Sequence, residues 1–289
     1  MHHIDTIVTH PGGAHKDDFL ACSVLLSRCP APIRRREPSE EDLENASICV
    51  VDVGHRHEPE KLNFDHHQFP KDYPPTCALS LVLQHFDLDN DAKKFFVWLE
   101  PAEWFDCLGG RETSRRLGAP PEVMKKLISP IDMTLLRRFA MAEEILPGSP
   151  IWEIMKMIGA DIVGYVETLR ARLEYIGAHA EFWTFENDKT SFSILFMPRT
   201  DPLPADPSMG LEAFIERHSE KENVAGMVYP DRRNTGYGLS RYNDDMRLDF
   251  ARIDVCEDVH FAHARGFVAK SSAVDPERLK ALITNAWIG

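Results

Sequence analysis

The chain predicts an α/β fold: an N-terminal domain built on a parallel sheet, a helical connector, and a smaller C-terminal α+β domain. Three observations lead there. Strand-like and helix-like segments alternate through the first third of the chain, the order that builds parallel sheets. The run ICVVDV at 48–53 is short and almost wholly apolar, as a strand covered on both faces requires. The middle of the chain is helical in pattern, and strand-like segments return near its end.

The elements follow in order. Residues 4–9 (IDTIVT) are β-rich and end at His10. PGGAHKDD is a turn-forming loop with Gly12 and Gly13, and 18–28 then carries apolar residues at helical spacing. The strand at 48–53 is ended by Gly54, and 62–67 (LNFDHH) resembles the end of another short strand. Beyond the proline-rich 70–75, residues 76–86 read as a helix with Thr76 as a candidate cap. From 91 to about 183 the pattern is mainly helical, punctuated by Pro101, Pro130 and Pro150, and its last stretch suits one long connecting helix. Strands are then expected at 191–197, 224–229, 236–242, 247–253 and 259–268, a short helix at 211–218, and a closing helix at 275–287. The expected divisions are 1–150, a connector at 151–190, and 191–289. No internal repeat or low-complexity tract is present.

Composition bounds the function. The 289 residues are 43% hydrophobic and 27% charged, ordinary for a soluble globular protein. No apolar run approaches the roughly 20 residues of a membrane span. The start MHHIDTIVTH is not a secretory signal, and His2 and His3 are left out of the site. Cys22, Cys29, Cys49, Cys77, Cys107 and Cys256 form no CxxC pair, which suits a reducing cytoplasm. A net charge of −13 disfavours a sequence-independent grip on long nucleic acid. It leaves short oligonucleotides and nucleotides open, because bound metals and a few arginines can reverse the field inside a cleft.

Four pieces carry chemistry: His10, His15, Asp17 and Asp18; Asp52; Asp65, His66 and His67; and Asp106 in WFDCLGG. In an open parallel sheet, ligands bind beyond the carboxyl ends of the strands. His10, Asp52 and the DHH triplet each follow an apolar run, so they can meet at one sheet edge. Imidazole with carboxylate suits divalent ions such as manganese, with magnesium as the alternative. Two ions about 3.5–4 Å apart need a shared anionic ligand. Each piece also has a plainer reading. Asp52 can cap a turn, Asp106 can cap a helix, the paired histidines can be a polar loop, and Asp18 fits a helix-start carboxylate favoured by the dipole. All four being accidental together is the weaker account.

These residues resemble the DHH phosphoesterase superfamily and, within it, the melanocyte-proliferating-gene exonuclease family. That family's patterns THxGxFHxDExLA, VVDVGxxxxPExxxxDHHQ and FxHxxGF correspond here to THPGGAHKDDFLA, VVDVGHRHEPEKLNFDHHQ and FAHARGF. The resemblance implies that His10, His15 and Asp52 hold one divalent metal. Asp17, Asp52, His66 and Asp106 would hold a second, with Asp52 bridging. It implies that His67 lies beside the scissile phosphate, and that His263, Arg265 and Gly266 grip substrate phosphate. The implied activity is 3′-to-5′ hydrolysis of short single-stranded RNA or oligonucleotides by a metal-activated water. Departures are Ala14 for the family's aromatic, Asp18 for its glutamate, and Val268, Ala269 and Lys270 for its glycine-rich continuation. Two readings stay open beside it: a hydrolase of pyrophosphate, a cyclic dinucleotide or another small phosphate, and a non-catalytic metal- or nucleotide-binding protein. Metal-dependent peptide hydrolysis is weaker, since no HExxH motif is present. Arg232 and Arg233 are candidate phosphate contacts on an exposed turn. A homo-oligomer is compatible with the sequence; a membrane partner is not expected.

Overall fold

The computed structural model describes residues 3–126, 129–186, 190–219 and 221–288; His2 lies outside them. The chain divides into two compact units, Met1–Thr168 and Leu169–Gly289.

The first unit holds β1 (Thr6–Thr9), α1 (Lys16–Arg28), β2 (Ile33–Arg35), α2 (Glu40–Glu44), β3 (Ile48–Val51), β4 (His57–Glu58) and β5 (Asn63–Phe64). Then follow α3 (Ala78–His85), α4 (Asp89–Phe95), α5 (Leu99–Arg116), α6 (Pro121–Lys126), α7 (Pro130–Met141) and β6 (Glu144–Ile145). Its sheet has the order β4-β5-β3-β1-β2-β6. The four inner strands are mutually parallel. Both edges are antiparallel, so the sheet is mixed where the sequence predicts a parallel one. The reason at the β4 edge is connection length. A 3-10 turn at Pro59–Lys61 joins β4 to β5, and so short a link permits only an antiparallel return.

Successive side chains of a strand face opposite sides, and the core follows. Ile7, Cys49, Val51 and Phe64 enter the large core with α1 and α3, whereas Val8 and Val50 pack with Leu43 of α2 on the other face. Helix α8 (Pro150–His179) crosses α1 closely: a Cβ added at Gly159 would stand 1.8 Å from the Ser23 carbonyl oxygen. The boundary between the units falls within α8.

The second unit holds β7 (Glu181–Glu186), β8 (Ser191–Phe196), α9 (Leu211–Ile215), β9 (Val224–Pro230), β10 (Tyr237–Arg241), β11 (Val259–Ala262), β12 (Val268–Ser271) and α10 (Pro276–Ala286). Its sheet order is β11-β12-β10-β9-β8-β7, and β8–β9 is the parallel pair. Leu279, Leu282 and Ile283 of α10 pack with Ile194, Val228 and Leu239 of the sheet.

Three expectations change here. Residues 181–183 open a strand and do not continue the helical stretch. The stretch 247–253 is no strand: Leu248 makes one bridge to Trp287, and Phe250–Ile253 is a 3-10 turn. The span 259–268 is two strands with a turn between them, where Gly266 takes φ +71°. No helix among the described residues is long and apolar enough to cross a membrane.

Candidate metal centre

Register places the site. β1 ends at Thr9, which pairs with Val51 at the end of β3, and Val51 pairs with Phe64 at the end of β5. The next residue of each strand is His10, Asp52 and Asp65, so three parallel strands deliver three polar side chains to one edge. Asp52 turns the chain away with φ +58°, an uncommon conformation for a residue with a Cβ. Its N–H still donates to the Phe64 carbonyl at 3.0 Å. Helix α1 starts at the same edge, with Asp17 and Asp18 in its first turn. Asp106 comes from α5, whose helical geometry breaks at Gly109.

The side chains interlock. His66 Nε2 lies 3.1 Å from Asp52 Oδ1 and 3.0 Å from Asp106 Oδ2. His10 Nε2 lies 3.1 Å from Asp18 Oδ2 and 3.5 Å from Asp52 Oδ2. His15 Nδ1 is 3.6 Å from Asp106 Oδ1. Ligand atoms of His10, His15 and Asp52 group closely enough for one cation, as do those of His15, Asp17 and Asp106, of Asp52, His66 and His67, and of His66, Asp106 and Cys107. Both oxygens of Asp17 are buried without a hydrogen-bond partner. A buried carboxylate needs a compensating cation or donor, and Asp17 has acidic neighbours instead.

Electrostatics records that strain. Burial, then the charges of Asp52, Asp106 and Asp18, push the Asp17 carboxyl well above its usual range. Burial also raises Asp52, against the opposing pull of His66. Burial works against charge on His66, but Asp106 and Asp52 overcome it and push the imidazole up to about 12. The hydrogen bond with Asp18 lifts His10 to about 9. The same carboxylates that raise these imidazoles would stabilise a bound cation.

The structure therefore brings His10, His15, Asp17, Asp52, His66 and Asp106 together in the first unit, with His67 beside them. His67 Nδ1 bonds Asp65 Oδ1 at 2.7 Å. Asp65 also accepts the N–H groups of His67 and His55, and its carboxyl is held down at about 2: burial opposes this, and the bonds from His67 and His55 prevail. The other three candidates belong to the second unit, in the turn between β11 and β12. There the Gly266 N–H donates to the His263 carbonyl at 2.7 Å, the Arg265 N–H to His263 Nδ1 at 3.1 Å, and the Arg265 side chain is exposed.

Two residues were undervalued by sequence. Asp18 does accept the His15 N–H at the start of α1, at 2.8 Å, but its other oxygen holds His10. Arg35, unremarked in sequence, is a buried guanidinium that donates to the carbonyls of Gly12 (3.1 Å), Gly13 (2.9 Å) and Phe139 (3.1 Å). It fixes the loop between His10 and His15. Its partners are backbone carbonyls, which leave no mark in the sequence.

With this geometry in view, the chain can be compared with known proteins. The family model MYG1_exonuc, an uncharacterised protein family (UPF0160), matches residues 6–89. That stretch includes His10, His15, Asp17, Asp52, His66 and His67; Asp106 and the β11–β12 turn lie beyond it. It supports the resemblance to the melanocyte-proliferating-gene family, whose name points to an exonuclease-like hydrolase. No curated protein and no solved structure matches the chain.

Proposed function

We propose that this chain is a metal-dependent phosphodiesterase of the DHH type, acting as a 3′-to-5′ exonuclease on short RNA or other short oligonucleotides. The observation that carries the reading is the convergence of six histidine and aspartate side chains at one sheet edge, with Asp17 buried and given no donor. Such a donor set suits hard or borderline divalent ions, manganese first and magnesium second. His10, His15 and Asp52 would hold one ion, and Asp17, Asp52, His66 and Asp106 the other. Ions held there would supply a nucleophilic water at neutral pH and neutralise phosphate charge.

The protein's own residues do the rest. Asp65 engages the Nδ1 side of His67, which leaves Nε2 to exchange a proton with the phosphate or the leaving oxygen. Arg35 and Asp18 hold the histidine-bearing loop in place, so the ligands need no reorganisation on binding. In the second unit, the turn bearing His263 and Arg265 presents donors suited to a substrate phosphate.

The test is manganese-dependent hydrolysis of short RNA and DNA oligomers, beside pyrophosphate and cyclic dinucleotides, with Asp52→Asn as control. Oligomer cleavage that the substitution abolishes supports the reading, and the product ladder gives the direction. Turnover of pyrophosphate alone would move the substrate to small phosphates. Metal binding without turnover of any of them would overturn the enzyme reading.

A further inference from the structure

We propose that a pocket beside His10 seats a nucleoside, so that the site selects nucleotides over bare phosphates; this rests on the phosphodiesterase reading above. The pocket lies wholly within the first unit and has a volume of about 700 Å³. Small-molecule pockets commonly span roughly 300–1,000 Å³. Pro11 and Gly12, the residues directly after His10, line this pocket together with the end of β2, Ala140 and Met141 at the end of α7, and the segment that follows α7.

Arg35 joins this pocket to the metal centre. It lines the cavity, bonds the Gly12 carbonyl, and stands 3.6 Å from the Asp18 oxygen that faces His10. With its side chain 1% exposed, Arg35 is a fixed floor. The cavity and the His10 side of the metal centre thus share Arg35 and the segment that follows His10.

The lining favours a nucleoside. Arg34–Arg36 is the chain's only run of three consecutive Lys or Arg residues, in a protein of net charge −13. Arg36 is held by Asp42 through two hydrogen bonds. Arg34 gives its Nε to Glu144 at 3.1 Å, and its side chain stays 51% exposed. That leaves a planar guanidinium face for stacking on a base. Glu143 and Glu144 stand in the same lining. They repel a bare anion and can accept the exocyclic amine of a base or a sugar hydroxyl. Met141 adds an adaptable apolar contact. Pyrophosphate gains nothing from such walls, whereas the nucleoside of a nucleotide meets stacking, acceptors and apolar cover.

The test measures binding by calorimetry, in manganese, of adenosine monophosphate and of inorganic phosphate to the wild-type chain, Arg34→Ala and Ala140→Phe. Arg34→Ala removes the stacking plane, and Ala140→Phe narrows the cavity by an independent route. The expected result is tighter binding of the nucleotide than of phosphate by the wild type. Each variant should weaken the nucleotide about tenfold or more, the scale of one lost base stack, and leave phosphate affinity unchanged. Equal affinity for the two ligands in the wild type overturns the proposal. So does nucleotide affinity untouched by both variants, or an equal loss for both ligands, which would place the effect at the metal centre. Oligomer hydrolysis by the wild type is scored separately, so loss of the enzyme reading is distinguishable from loss of the pocket.

Discussion

The strand-end cluster of the first unit and the β11–β12 turn of the second both present histidines and charge, yet they are built in opposite ways. The cluster draws on segments spread from His10 to Asp106, and strand register does the positioning. The turn is local, and a single glycine at positive φ does the positioning. The cluster buries a carboxylate, Asp17, with no hydrogen-bond partner, whereas the turn leaves Arg265 exposed. Long-range assembly can thus store uncompensated charge that a ligand later relieves, and a self-contained surface turn cannot.

The sharpest break of this contrast is Asp17→Asn. It removes a proposed ligand and, at once, one of the mutually repelling charges. Manganese affinity should fall beyond the ~10–100-fold that loss of a ligand's supporting residue costs. The metal-free protein should become more stable, by roughly 0.5–2 kcal/mol. Calorimetric metal titration and urea unfolding with chelator read the two effects. Unchanged metal affinity would remove Asp17 from the centre.

Next in size is Gly159→Ala, which tests the support beneath the cluster. The added carbon would overlap the Ser23 carbonyl oxygen at 1.8 Å. Backbone atoms of α1 cannot rotate away as a flexible side chain would, so α1 and α8 must separate. Overpacking of this kind costs roughly 1–3 kcal/mol, and here the upper end is expected in thermal or urea unfolding. Wild-type stability in this variant would mean that the two helices do not cross as described.

The same contrast governs what sequence alone makes legible. His10, Asp52 and Asp65 each stop an apolar run, so their shared edge is readable without coordinates. Arg35 is not readable, because its partners are three carbonyls at Gly12, Gly13 and Phe139, and sequence spacing carries no trace of them. β2 and β6 are three and two residues long, too short for periodicity to register. The strand β7 hides because its start continues an apolar helical pattern, although Phe182, Trp183 and Phe185 carry the aromatic enrichment of strands. In FAHARGF the alternation suggests one strand, while the glycine is the signal for the turn.

Gly266→Ala tests the local half of the comparison. The left-handed conformation costs a residue with a Cβ about 1–2 kcal/mol. The new carbon would also stand 1.9 Å from Asp249 Oδ1, an oxygen already tied to the Ala251 N–H at 3.1 Å. Unfolding experiments should show a loss of at least that size. Manganese affinity should not change, since every proposed ligand belongs to the first unit. A drop in metal affinity would show that the turn is not the self-contained element described.

The smallest effect concerns a carboxylate that is the reverse of Asp17. Asp42 is buried too, but it accepts two bonds from Arg36 and one from the Ser39 N–H. The Arg36 hydrogen bonds hold its carboxyl below the usual range, against the opposing pull of burial. A folded-state value below the unfolded one, about 3.9 for aspartate, stabilises the fold above that pH. The contribution is lost as pH falls through the folded value. Asp42→Asn should therefore cost about 1 kcal/mol at pH ~7, the scale of a lost helix cap, and the gap to wild type should shrink as pH drops below ~4. Urea titrations of both proteins across that range read it. A gap independent of pH would assign Asp42 a role through shape rather than charge, and Asp17 would then lose its paired counterpart.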